Sequence, residues 1–116
     1  MLFESKVWLD ATSDLSHRNR QRFEAYIKEH KDAWLTFVKL SFRAINKGQK
    51  KWSALGIVYV IRFYENVVRE NTTFKINNNH SPFFSRLFAL KYPEHSEFFN
   101  YREHGEDWEP EEDDEE

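Results

Sequence analysis

Between Ser13 and Tyr92, apolar residues recur at steps of three and four, broken by short polar stretches. This spacing predicts a series of amphipathic helices. The first runs from Ser13 or Ser16, either of which can act as N-cap, to His30, and places Phe23, Tyr26 and Ile27 on one face. Its first half is the polar, basic SHRNRQR. A second helix takes Asp32 as its cap and runs to about Asn46, with Trp34, Phe37, Val38, Phe42 and Ile45 on one side. Gly48 follows, where a left-handed residue is often needed.

The segment LGIVYVI at 55–61 is rich in β-branched residues and also fits a buried strand, but its length favours a helix. Ser53 can cap that helix, which continues through FYENVV with Leu55, Val58, Ile61, Tyr64 or Glu65, and Val68 on one stripe. Tyr59, Phe63 and Val67 widen the stripe, so this helix is expected to be central. The Asn-rich stretch 71–80 reads as a loop with at most a brief strand. Ser81 and Pro82 then signal the start of a helix that reaches Tyr92 and is stopped by Pro93. PEHSEFF at 93–99 reads as a further helical turn folding Phe98 and Phe99 back on the core. Near the start, Phe3, Val7 and Leu9 are compatible with either a short strand or an arm packed on the body. Phe83, Phe84, Phe88 and Tyr92 favour core packing, with a homodimer contact as the alternative.

The expected fold is therefore mainly α: a compact single domain of four to five helices, helix-turn-helix or winged-helix-like, with an N-terminal strand left open. Its 116 residues suit one core, and the 17% aromatic content supplies it despite the hydrophilic average. The absence of Cys excludes disulfides, a thiol nucleophile and Cys-based zinc sites. Residues 1–10 lack the pattern of a secretory signal, and no stretch approaches about eighteen consecutive apolar residues, so a cytoplasmic chain with no membrane partner is expected.

Charge changes this picture. All 17 Lys and Arg lie in residues 1–102, against 10 Asp and Glu, a net of +7. Residues 103–116 hold the other 10 carboxylates and neither Lys nor Arg. The chain thus divides into a basic helical domain, 1–102, and an acidic tail, 103–116, expected to be disordered. A basic surface joined to a polyanion points to a phosphate-bearing partner for which the tail competes.

The candidate phosphate contacts are Arg18, Arg20 and Arg22 in the first helix, Lys39, Arg43 and Lys47 at steps of four in the second, and Lys50 and Lys51 beyond it. A helix-turn-helix reading of the helices flanking the Asn-rich loop adds base readers at the start of the last helix: Asn77, Asn78 and Asn79, His80, Ser81, Ser85 and Arg86. The loop of about ten residues is longer than the simple motif allows and requires an elaborated variant. Catalysis is not expected, because the five His form no short-spaced ligand pair and neither GxSxG nor a phosphate-binding Gly-rich loop is present. Glu65 is the one carboxylate on an otherwise apolar helix, and a structural ion pair is its expected role. No metal or cofactor is expected.

FKINNNHSPFFSRL at 74–87, followed by PEHSEFFNYRE at 93–103, resembles a family of short uncharacterised proteins of bacteria and their phages. Its members share a Phe-Lys-aliphatic-Asn-Asn-Asn segment, an Arg-containing helix and a closing Phe-Phe before a charged run. The likeness extends from about Phe23 to Arg102, about two thirds of the chain. It implies a phage or mobile-element setting without implying an activity. The Ser81-Pro82-Phe83-Phe84 helix start and the acidic tail depart from the family pattern. Together these features predict a small non-catalytic DNA-binding protein with an autoinhibitory tail. The alternative is an inhibitor or adaptor whose tail mimics nucleic acid toward a basic host protein.

Overall fold

The computed structural model describes residues 2–99. The expected acidic tail, 103–116, lies outside the described residues. A 3-10 turn at Leu2–Glu4 leads into α1 (Lys6–Ala11), α2 (His17–Glu29) and α3 (Lys31–Asn46). Next come α4 (Ala54–Phe63), continued by a π-helical turn at Tyr64–Val68, then a 3-10 turn at Asn78–His80, α5 (Ser81–Lys91) and a 3-10 turn at Pro93–His95. The chain is mainly helical, as its periodicity predicts. Among the described residues the only β pairing is an isolated bridge between Trp52 and Phe99, so neither the N-terminal strand, the brief strand in 71–80 nor a winged hairpin is present there.

Small polar side chains set the helix starts. Ser5, Ser16 and Ser53 each accept a hydrogen bond from the backbone N–H three residues on, at 3.2, 3.1 and 3.0 Å. Each satisfies a donor that the first helical turn leaves unpaired. The N-terminal segment is a helix for this reason: Ser5 caps a turn that buries Phe3 and Trp8, while Val7 and Leu9 face outward. Asp32 does not cap α3; it lies in the first turn, and His30 alone separates α2 from α3. Nor is Ser81 a cap, because Asn77 accepts from the Asn79 N–H at 2.8 Å and starts a 3-10 turn that runs directly into α5.

α5 is the helix at the centre. Every residue from Phe83 to Phe88 is buried. Phe84 stacks on Phe37 of α3 with ring centroids 4.7 Å apart and meets Phe23 of α2 edge-on at 5.1 Å. On the other side Phe88 meets Phe99 at 5.2 Å, and Phe99 returns to Phe37 at 5.2 Å. Trp8 closes the N-terminal end, 6.0 Å from Phe23, and its indole N–H donates to Glu24 at 2.8 Å. Such pairs contribute about 0.5–1.5 kcal/mol each beyond simple burial. Phe83, Phe84 and Phe88 are thus core residues, which removes the dimer contact considered for this helix.

α4 was expected at the centre and is instead peripheral. It buries Ile57, Val58 and Ile61 and leaves its outer face uncovered. Val68 departs from the predicted stripe because the last turn is π-helical: the Arg69 N–H donates to the Tyr64 carbonyl, five residues back, at 2.9 Å. The wider turn rotates Val68 outward, while Glu65 stays inward beside Arg69 at 3.6 Å. Glu70 ends it at φ 57, a left-handed conformation that costs a residue with a Cβ roughly 1 kcal/mol.

Two outcomes test this packing. Trp8→Ala is expected to lower unfolding free energy by about 3–5 kcal/mol in urea titration, since it empties a fully buried aromatic site. His80 is buried between Phe23 and Tyr26, and desolvation, with Arg22 nearby, pushes it down to about 4. From its ordinary value of 6.5 down to about 4, the unfolded chain therefore takes up a proton that the folded protein refuses. Stability should fall across that window by up to roughly 3 kcal/mol, with no further loss from this group below it. Urea titrations at stepped pH check this, and His80→Gln should flatten the slope between pH 6.5 and 4.5.

Candidate nucleic-acid interface

Amphipathic helices around an aromatic core send their cations outward, and α3 does so in a line. Lys39, Arg43 and Lys47 are all exposed, four residues apart along one face. Lys47 ends the helix, Gly48 takes φ 95 to reverse the chain, and the exposed Lys50 and Lys51 follow. The Lys51 ammonium donates to the Glu97 carbonyl at 3.2 Å, and the Trp52 N–H donates to the Phe98 carbonyl at 3.0 Å. These contacts bring the end of the described chain beside the basic turn. Among the described residues no ion pair engages these five cations.

The α2 cations divide. Arg18 and Arg22 are exposed, four residues apart. Arg20 is half-buried and reaches Glu24 at 3.2 Å, on the same carboxylate oxygen that receives the Trp8 indole N–H. Arg20 thus supports the carboxylate that holds Trp8 of α1, and is less accessible to a phosphate than Arg18 or Arg22. The mixed-sign junction Lys28-Glu29-His30-Lys31-Asp32 separates Arg18 and Arg22 from the α3 line.

The proposed base-reading residues fare differently. Arg86 does not stand at an exposed tip: its side chain is 7% exposed and lies 3.3 Å from Asp14. Ser85 is buried and donates to the Pro82 carbonyl at 2.8 Å, and His80 is buried too. Asn77 serves as the cap, and Asn78 accepts from Arg62. Asn77, Asn78 and Asn79 are exposed and Ser81 is half-buried, so the loop before α5, not the helix itself, carries the accessible candidates. The physical reason is that α5 is central, so most of its side chains contribute to the core.

Two features went unnoticed in the sequence. No Asp or Glu occurs between Asp32 and Glu65, a stretch that carries Lys39, Arg43, Lys47, Lys50, Lys51 and Arg62. That gap in carboxylates was a readable signal for the α3 line. The other is Trp52, 46% exposed directly after Lys50 and Lys51, an aromatic surface on which a base can stack. Only burial identifies it, since a Trp is ordinarily assigned to the core.

An open cavity of about 390 Å³ lies between α4 and the 72–77 loop. Its polar groups hold the loop in place: Arg62 donates to the Ile76 carbonyl at 2.7 Å, and Asn66 donates to the Asn71 carbonyl at 2.9 Å. The Tyr26 hydroxyl donates to the Lys75 carbonyl at 2.6 Å, and burial, with Asp32 and Glu65 in its field, pushes it up to about 12. Glu65 pairs within its own helix end, whereas Arg62 turns away to the loop. Among the described residues no three His, Asp or Glu side chains converge on a metal-sized site.

Comparison with protein-family models, curated proteins and solved structures gives no match for this chain. Its chemistry is read from the side chains themselves.

The divided roles of the cations are testable by stability. Arg86→Ala should cost about 1–3 kcal/mol, because it removes a buried, hydrogen-bonding guanidinium. Arg43→Ala and Lys47→Ala should each stay within about 0.5 kcal/mol of the parent. Equilibrium urea unfolding of the three variants checks the contrast.

Proposed function

We propose that this chain is a small, non-catalytic DNA-binding protein of phage or mobile-element type, which holds its partner through phosphates with little reading of sequence. The observation that carries this reading is the exposed line Lys39, Arg43, Lys47, Lys50 and Lys51 in a stretch free of carboxylates. Arg18 and Arg22 supply a second contact. Trp52 offers a stacking surface beside Lys50 and Lys51, which favours partners with accessible bases. A helix-turn-helix mode would present Asn79 and Ser81 to the groove. The phage or mobile-element setting draws on the resemblance carried by 74–87 and 93–103.

The acidic segment 103–116 acts in this reading as an intramolecular competitor. Phe99 pairs with Trp52, so the chain leaves the described fold next to Lys50 and Lys51. Tethering at that point gives the carboxylates a high effective concentration at the surface that phosphates would occupy.

DNA titrations with increasing salt, using the full chain and a variant lacking 103–116, test both parts. The shortened protein should bind more tightly, and the five contacts of the α3 line and its turn alone predict a loss of roughly 10²–10³ in affinity between about 50 and 200 mM salt. Arg43→Ala and Lys47→Ala should each weaken binding equally across unrelated sequences and reduce the salt slope by about one. Absence of binding by the shortened protein at about 50 mM salt would overturn this reading in favour of nucleic-acid mimicry by the acidic segment.

A further inference from the structure

The outer face of α4 and its π turn is apolar from end to end. Tyr59, Val60, Phe63, Tyr64, Val67 and Val68 are 47–60% exposed, and no charged side chain interrupts them on that face. Arg62, at its margin, is held by the Ile76 carbonyl and Asn78 and lies over the Tyr59 ring at 5.6 Å. The π turn extends this face, because it swings Val68 out of the buried stripe toward Val60 and Phe63, while Val67 follows Phe63 by four residues on the outer side.

We infer that this face is the interface of a homodimer, in which α4 and the π turn of two copies pack antiparallel about a two-fold axis near Val60. Aromatic side chains bury about 150–250 Å² each, so half-exposure of three aromatic and three valine side chains leaves roughly 500–600 Å². That is at the upper end of what a monomer exposes in one patch, about 300–600 Å². With its margins it approaches the about 800 Å² per partner that a stable interface buries.

Charge supports a second copy as the occupant. Lys50 and Lys51 precede the N-terminal end of the face, and Glu70 follows its C-terminal end. An antiparallel isologous pairing sets Glu70 of each copy beside the lysines of the other, twice over. The apolar contacts are independent of the proposed phosphate surface, with which the dimer shares only Lys50 and Lys51.

Sedimentation equilibrium of the full chain without nucleic acid tests it. At tens of micromolar the mass should be twice 14.1 kDa. Phe63→Glu, and independently Val67→Lys, should return it to one chain with unchanged far-UV circular dichroism and melting. Leu35→Glu, at an exposed position on α3, should leave the dimer intact. Glu70→Lys should weaken dimerisation at least about tenfold at low salt, and adding Lys50→Glu should restore it. A single-chain mass for the parent protein would overturn the inference, as would a dimer that survives both Phe63→Glu and Val67→Lys. A dimer indifferent to Glu70→Lys would overturn the antiparallel pairing.

Discussion

A helix buried at six consecutive positions has to be surrounded, and this constraint on α5 organises the protein. Phe83 to Phe88 cover the full circumference of α5, so α1, α2, α3, α4 and the 98–99 segment must each supply a wall. Aromatic side chains make this feasible in a short chain, because a few large rings bury the area that many aliphatic residues would otherwise provide. Phe23, Phe37 and Phe99 each come from a different segment and converge on Phe84 and Phe88. The polar residues on α5 are accommodated individually: Ser85 donates to the Pro82 carbonyl, and Arg86 reaches Asp14 at the rim.

Placing α5 at the centre displaces α4 to the edge, although α4 is the more apolar of the two in sequence. One face of α4 is sufficient to seal the core, through Ile57, Val58 and Ile61. The π turn keeps Glu65 inward, within reach of Arg69 and of Asn71, whose amide lies at 3.4 Å. In the same movement it exposes Val68. The exposure of Val68 and the inward placement of Glu65 thus share one backbone cause.

The cations follow from the same arrangement. A largely aromatic interior excludes unpaired charge, so the long side chains of α3 point to water along one line. Where a cation does turn inward, as Arg20 and Arg86 do, a carboxylate and hydrogen bonds accompany it. The cations therefore sort into structural and accessible sets by burial, not by residue type or by spacing.

Spacing and capping chemistry by themselves determined much of the secondary structure: an α2 start at Ser13 or Ser16, of which Ser16 is the cap, the α4 start at Ser53, the reversal at Gly48 and the end of the last helix before Pro93. These are local preferences that depend on a few neighbouring residues. The α3 line was equally legible, since residues four apart share a helix face wherever that helix packs. The role of α5 was not. Periodicity reports how apolar each side of a helix is, whereas centrality depends on how many other elements can reach it at once. Tertiary packing alone decided that Arg86 is buried, that Trp52 is exposed and that Val68 leaves its stripe through a π turn. Each is set by residues far away along the chain, Asp14 for Arg86 and Phe98 and Phe99 for Trp52, and no local window contains them.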